Sequence, residues 1–219
     1  DPLIDVRVFH CLPFTLSVLV LVFIQFVCLG LGYLIPNYAQ LVSGENAFTA
    51  GCLLLPGCLL GAFLSPISGR LLDRFGAARP ILFGNVCIIF SLVCFTLFSG
   101  RLEILPCIGF YVFFALGQGC SVGNTMTNGL RQLSPAVNAD GNAVINTLQQ
   151  LAGAIGTSVV TTIVAASQAS LPGDTALATQ QGSQEAFRLL AVITVLILIC
   201  SCSAFLLIRS RQKINAVHV

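Results

Sequence analysis

The stretch that decides the fold is PFTLSVLVLVFIQFVCLGLGYLI, residues 13–35. It contains no Asp, Glu, Lys, Arg or His, and Gln25 is its one amide. As a helix it would extend about 35 Å at 1.5 Å per residue, enough to cross the ~30 Å hydrocarbon core of a bilayer. Outward from it, five more stretches read the same way: 47–69, 80–98, 104–129, 141–166 and 186–208. The fourth and fifth spans are less hydrophobic and carry amides. The runs are too long and too uniform for the apolar–polar alternation of a membrane barrel strand. The expectation is an all-α integral membrane protein, a six-transmembrane-helix bundle over 13–208. A linker, 1–12, precedes it, and a tail, 209–219, follows.

Composition agrees. Of 219 residues, 56% are hydrophobic and 8% are charged, and the mean hydropathy is +0.95. A soluble domain carries about 25% charged residues. A water-soluble surface cannot be covered with so few ionisable groups. That excludes a soluble globular enzyme, a nucleic-acid binder and a disordered chain. The expected partner is the lipid bilayer, with no nucleic acid. The single Met is Met126, so residue 1 is not read as a translation start and the chain is expected to be a fragment or processed product. Asp1, Asp5, Arg7 and His10 precede the first apolar run, which is not the pattern of a signal peptide.

The net charge of +2 is too small to imply an anionic partner, but its placement is informative. Arg7, Arg70, Arg74, Arg79, Arg131, Arg209, Arg211 and Lys213 flank one side of the predicted spans, and only Arg101 and Arg188 flank the other. Cytoplasmic loops concentrate Lys and Arg. Both termini are therefore expected in the cytoplasm and the polar 167–185 segment, read as an irregular loop, outside. The expected location is the plasma membrane, in multi-pass form.

Catalytic and metal chemistry are not expected. Cys28, Cys52, Cys58, Cys87, Cys94, Cys120, Cys200 and Cys202 fall inside predicted spans, with no C-x-x-C pair. The two histidines, His10 and His218, lie at opposite ends. Such cysteines read as small apolar packing residues, and no metal or cofactor is implied. Gly119-Cys120-Ser121-Val122-Gly123 matches the nucleophile-elbow pattern G-x-S-x-G. A serine nucleophile needs a general base, and no His or Lys lies in any span. The match is read as chance, and the chain as no enzyme.

Small residues mark where helices approach closely in lipid. Gly57, Gly61, Ser65 and Gly69 recur every four residues on span two, and Gly153 and Gly156 lie together on span five. Polar residues mark a second feature. Gln118, Ser121, Asn124, Thr125 and Asn128 share one face of span four; Asn142, Asn146, Gln149 and Gln150 share one face of span five. Amides facing lipid are costly, so these faces are expected to point inward. Interhelical hydrogen bonding would account for any one of them. Their number on two spans favours a polar cavity, with Gln25, Asn124, Asn128, Asn146, Gln149 and Gln150 as candidate contacts. All eight carboxylates lie outside the span centres. A proton-coupled transporter would need an embedded acid, so coupling is expected in a part of the protein outside this chain.

The connection between spans two and three reads Gly69-Arg70-Leu71-Leu72-Asp73-Arg74-Phe75-Gly76-Ala77-Ala78-Arg79-Pro80. Its glycines suit a tight reversal, and Asp73 can pair with Arg74 and Arg79 as a latch between conformations. This stretch resembles the G-x-L-x-D-R-x-G-x-R loop of the major facilitator superfamily. Three more stretches look like that family's fourteen-span drug:proton antiporters: Pro2–Phe9, Ile35–Gln40 and Asn146–Gly156. Together they match the last six helices of such an exporter, over nearly the whole chain.

The resemblance implies half of a major-facilitator fold, a 3+3 inverted repeat. It implies export of drugs or other small amphipathic molecules by proton antiport with alternating access. The partners would be a missing N-terminal half, or a second copy, and protons. Gly69, Asp73, Arg74, Gly76 and Arg79 would form the cytoplasmic gating loop. Gln149 stands where many relatives carry Arg. The antiporter motif and the coupling acids of the family belong to the other half. Alternatives are a nutrient symporter or uniporter of the same family, and a non-transporting six-span scaffold. The membrane domain of an ATP-driven exporter would need longer cytoplasmic extensions and a phosphate-binding loop.

Overall fold

The structure is a computed structural model and describes residues 6–217, with the side chains of 8–210. Residues 1–5 and 218–219 lie outside the described residues, so the Pro2–Phe9 stretch is described only from Val6, and the predicted 209–219 tail continues α7 as far as Val217. Seven helices follow in order: α1 (Leu12–Leu41), α2 (Ala47–Cys52), α3 (Leu55–Phe75), α4 (Ala78–Phe98), α5 (Ile104–Leu130), α6 (Asn138–Ser170) and α7 (Thr175–Val217). With α2 and α3 taken together, six are long and apolar enough to cross a membrane.

The second span is discontinuous. Asn46 caps α2 by accepting the Thr49 N–H at 2.8 Å, and α2 ends at Cys52. Pro56 then opens α3 within its first turn. Proline has no N–H to give and its ring crowds the carbonyl four residues back, which forces the break. At the other end α3 stops at Gly76, whose φ of +79° suits glycine alone and whose N–H reaches the Leu72 carbonyl at 3.0 Å. Gly69, expected to share in that reversal, lies inside α3 instead.

The helices outrun the hydropathic stretches. α1 continues through Pro36 to Leu41, and the Tyr38 hydroxyl donates to the Ser99 carbonyl at 3.0 Å, tying it to the end of α4. The polar segment 167–185 is not an irregular loop: α6 runs to Ser170, α7 begins at Thr175, and only a short turn over 171–174 separates them. Its polar side chains satisfy one another across the hairpin. Ser167 Oγ donates to the Ala178 carbonyl at 2.7 Å, and Gln168 Nε2 to Thr179 Oγ1 at 2.8 Å. Asp174 Oδ1 caps α7 at the Leu177 N–H, 3.0 Å away.

α1 is the centre of the bundle: half of its apolar window is buried, against 17% for α2–α3. Its core residues include Phe14, Ile24, Leu31 and Leu34, all fully buried. Phe95 of α4 stacks on Phe187 of α7 with centroids 5.2 Å apart, which joins these two helices. The packing has an internal symmetry. α1 packs on α6 and α7, while α5 packs on α3 and α4. Exchanging spans one to three with spans four to six maps one set on the other, and a triplet of spans necessarily inverts the second copy. One pair breaks the symmetry: α6 and α7 pack closely, whereas α3 and α4 touch only sparsely.

Candidate functional site

A groove runs along the face shared by α3, α5 and α1. Its main part has a volume of about 460 Å³ and is lined by Cys28, Gly61, Ser65, Tyr111, Gln118 and Gly123 among others. The groove exists because α3 and α5 approach through small residues. A Cβ on Gly57, itself at the edge of the groove, would lie 2.6 Å from the Tyr111 ring, and one on Gly119 would lie 3.2 Å from the Gly61 carbonyl. Ser65 and Gly69, in the same four-residue series, leave open space; nothing lies within 4 Å of where a Gly69 Cβ would be. The lining of this part has no charged side chain and few polar ones. Gln118 Nε2 contacts Cys28 Sγ at 3.3 Å, and Cys58 Sγ meets the Tyr111 hydroxyl at 3.7 Å.

Toward the α3–α4 loop the groove continues into a second space of about 360 Å³, sharing Ser65 and Gly123 with the first and adding Gly69, Asp73, Asn124, Thr127 and Arg131. Here Asp73 Oδ1 pairs with Arg131 Nη2 at 3.7 Å, linking the ends of α3 and α5. Arg74 and Arg79, expected as partners of Asp73, lie instead over the Phe75 ring, 5.4 and 5.9 Å from its centroid. The aromatic face attracts both guanidinium groups. Arg131 was read only as part of the charge bias; its pairing depends on two helix ends that meet through packing alone.

The amide face of span four divides among three neighbours. Gln118 turns to α1. Asn124, 4% exposed, donates to Ser68 Oγ at 2.6 Å and to the Cys120 carbonyl at 2.8 Å, so its amide is spent between α3 and α5. Ser121 donates to Asn85 Oδ1 at 2.7 Å, and Asn85 Nδ2 donates to Ser201 Oγ at 2.7 Å. This fully buried chain joins α5, α4 and α7. It also commits the Ser121 hydroxyl of the G-x-S-x-G match to an amide rather than to a base. Asn128 lies near Ser17 and Ser201 at a void of about 10 Å³. Asn85 escaped the sequence reading because one amide in an apolar run carries no period.

Span five is arranged differently. Gly153 and Gly156 pack against Leu29 and Phe26 of α1, with a Gly156 Cβ 2.9 Å from Phe26 Cα. Gln25 of α1 borders this contact, its Cγ 3.5 Å from the Gly153 Cβ position. Asn146 and Gln150 are exposed and Gln149 half-buried. Among the described residues Asn146 bonds within its own helix, to Asn142 at 2.9 Å. Gln25 and Cys28 are three residues apart on α1, and Asn146, Gln149, Gln150 and Gly153 share helical spacing on α6. The structure thus brings Gln25 between the α3–α5 groove and the amide face of α6. Asn124 borders the loop end of the groove with its amide committed to Ser68 and Cys120, and Asn128 lies apart, beside Ser17 and Ser201.

Residues 2–157 match the model of the Major Facilitator Superfamily. The chain is similar to the lincomycin resistance protein of Listeria monocytogenes, 35% identical over 209 residues, which is 91% of this chain and 44% of that protein. It is 33% identical to the lincomycin resistance protein of Bacillus subtilis, over 91% of this chain and 43% of that one. A multidrug resistance protein B homolog of Mycobacterium tuberculosis is 29% identical over 74% of this chain and 31% of its own length. The chain therefore spans less than half the length of these curated relatives.

Proposed function

The chain belongs to the major facilitator superfamily, and from that we propose that it forms one six-helix wall of a drug exporter. The observation that carries the reading is the groove, open along α3, α5 and α1, with the exposed amide face of α6 beyond it. A wall of this kind is completed by a second bundle. Substrate would lie near the midplane between the two, against Gln25, Gln118, Asn146, Gln149 and Gln150. A lining of thiols, one phenol, glycines and amides suits amphipathic molecules that need few fixed hydrogen bonds.

Alternating access requires contacts that are readily made and broken. The Asp73–Arg131 pair has that character. Its side chains are 74% and 58% exposed, and an exposed pair is worth about 0–1 kcal/mol. It can bias the ends of α3 and α5 without fixing them. In this reading Gly69, Asp73 and Gly76 belong to the gate directly. Arg74 and Arg79 act through Phe75. Proton coupling is assigned to the other half, because Asp73 is the one carboxylate along the described groove, at its loop end.

The test is the drug profile of the transporter that carries this chain. Gln25→Ala and Gln150→Ala should shift resistance between drugs several-fold while leaving insertion intact. An unchanged profile in both variants removes the proposed substrate wall.

A further inference from the structure

The sparse contact between α3 and α4 leaves an apolar cleft of about 450 Å³ on the opposite side of α3 from the groove's loop end. Ile67, Leu71, Phe75, Phe83 and Leu116 line it, with Arg79 as its one charged residue among the described residues. It runs along α3 from Leu64 to Phe75, about 16 Å at 1.5 Å per residue. That matches one leaflet, half of a ~30 Å hydrocarbon core. At the loop end, Arg79 and Arg74 are both gathered on the Phe75 ring. The cleft thus has the polarity of a single phospholipid: an acyl-length apolar slot that ends in two guanidinium groups.

We infer that this cleft binds one anionic phospholipid of the leaflet that the α3–α4 loop faces, with its phosphate on Arg79 and Arg74. A packed protein helix is the weaker occupant, since it would cover Arg79 and need a carboxylate there. Among the described residues the carboxylate of this loop, Asp73, is paired with Arg131. A guanidinium fork suits phosphate oxygens, and basic pockets between membrane helices at an interface hold lipid head groups. The lipid would fill the asymmetry in the repeat, where the equivalent α6–α7 pair closes on itself. It would also hold Phe75, at the end of α3, beside the gate.

The chain has no Trp, so a single introduced one reports local lipid. The experiment places the whole chain with Phe83→Trp in bilayers and compares quenching by brominated phosphatidylglycerol and brominated phosphatidylcholine. Leu206→Trp, exposed on α7, serves as the surface control. The expected result is a preference for the anionic lipid at Phe83→Trp of about fivefold per arginine over the control. Arg79→Gln should remove most of it, and Arg79→Lys should retain part. Equal preference at both reporters would mean a general surface charge and would overturn the inference. So would a preference untouched by Arg79→Gln in a chain that still inserts. A cleft that neither lipid quenches is covered by protein, which also overturns it.

Discussion

Asn85 shows how much a single residue can hold in this bundle. Its amide accepts from Ser121 and donates to Ser201, so its loss removes the donor to the buried Ser201 hydroxyl and leaves Ser121 with only Thr125 Oγ1, 3.5 Å away. Interhelical hydrogen bonds in membranes average about 0.6 kcal/mol each. Asn85→Ala removes two, and should destabilise the chain by about 1–2 kcal/mol in detergent unfolding. Asn146→Ala should cost under about 0.5 kcal/mol, since its exposed amide bonds within α6. Asp73→Asn separates gating from stability. It should shift unfolding by less than about 1 kcal/mol, as the pair is exposed, yet strongly reduce efflux by the transporter that carries the chain. Normal resistance in that variant would remove the latch. The amide face of span four was legible from its spacing alone. Its partners were not, because Ser68 and Asn85 belong to other helices and only packing brings them near.

Among the elements, the glycines sort by what surrounds them. α4 crosses α5 closely, and a Gly84 Cβ would lie 2.6 Å from the Gly117 carbonyl. Overpacking costs about 1–3 kcal/mol. Gly84→Ala should therefore destabilise by that amount, whereas Gly69→Ala, with open space around it in mid-helix, should be neutral or stabilising by up to about 1 kcal/mol. The thermal midpoints of the two variants in detergent check this, and a similar loss in both would contradict the packing account. The small-residue series on span two announced a close helix contact. It did not announce that Gly57 and Gly61 pack on α5 at the edge of the groove while Ser65 and Gly69 only line it. The break between α2 and α3 falls at Pro56, inside a stretch that hydropathy alone reads as one span, 47–69. The continuation of α6 and α7 through polar sequence was not legible either, because polar residues read as loop until the opposite helix supplies their partners, as Thr179 does for Gln168.

At the scale of the whole molecule, hydropathy sufficed for the number of spans and for the membrane class. The paired triplets, α1 on α6 and α7 and α5 on α3 and α4, carry no trace in the sequence, since packing between similar triplets needs no similar residues. With the arginine-rich flanks in the cytoplasm, Ala176→Cys, exposed in the first turn of α7, should react with an impermeant maleimide from outside intact cells above the wild-type background. Reaction only after permeabilisation would reverse the topology. The central claim concerns what the bundle is for: its groove is one wall, and a wall by itself does not enclose a path. The direct measurement is drug efflux from cells that express this chain alone, in a host stripped of its own exporters, with membrane insertion verified. The account predicts an inserted protein and drug accumulation equal to that of empty cells. Efflux by the chain alone would contradict it, since two copies would then be completing the cavity assigned here to a different half.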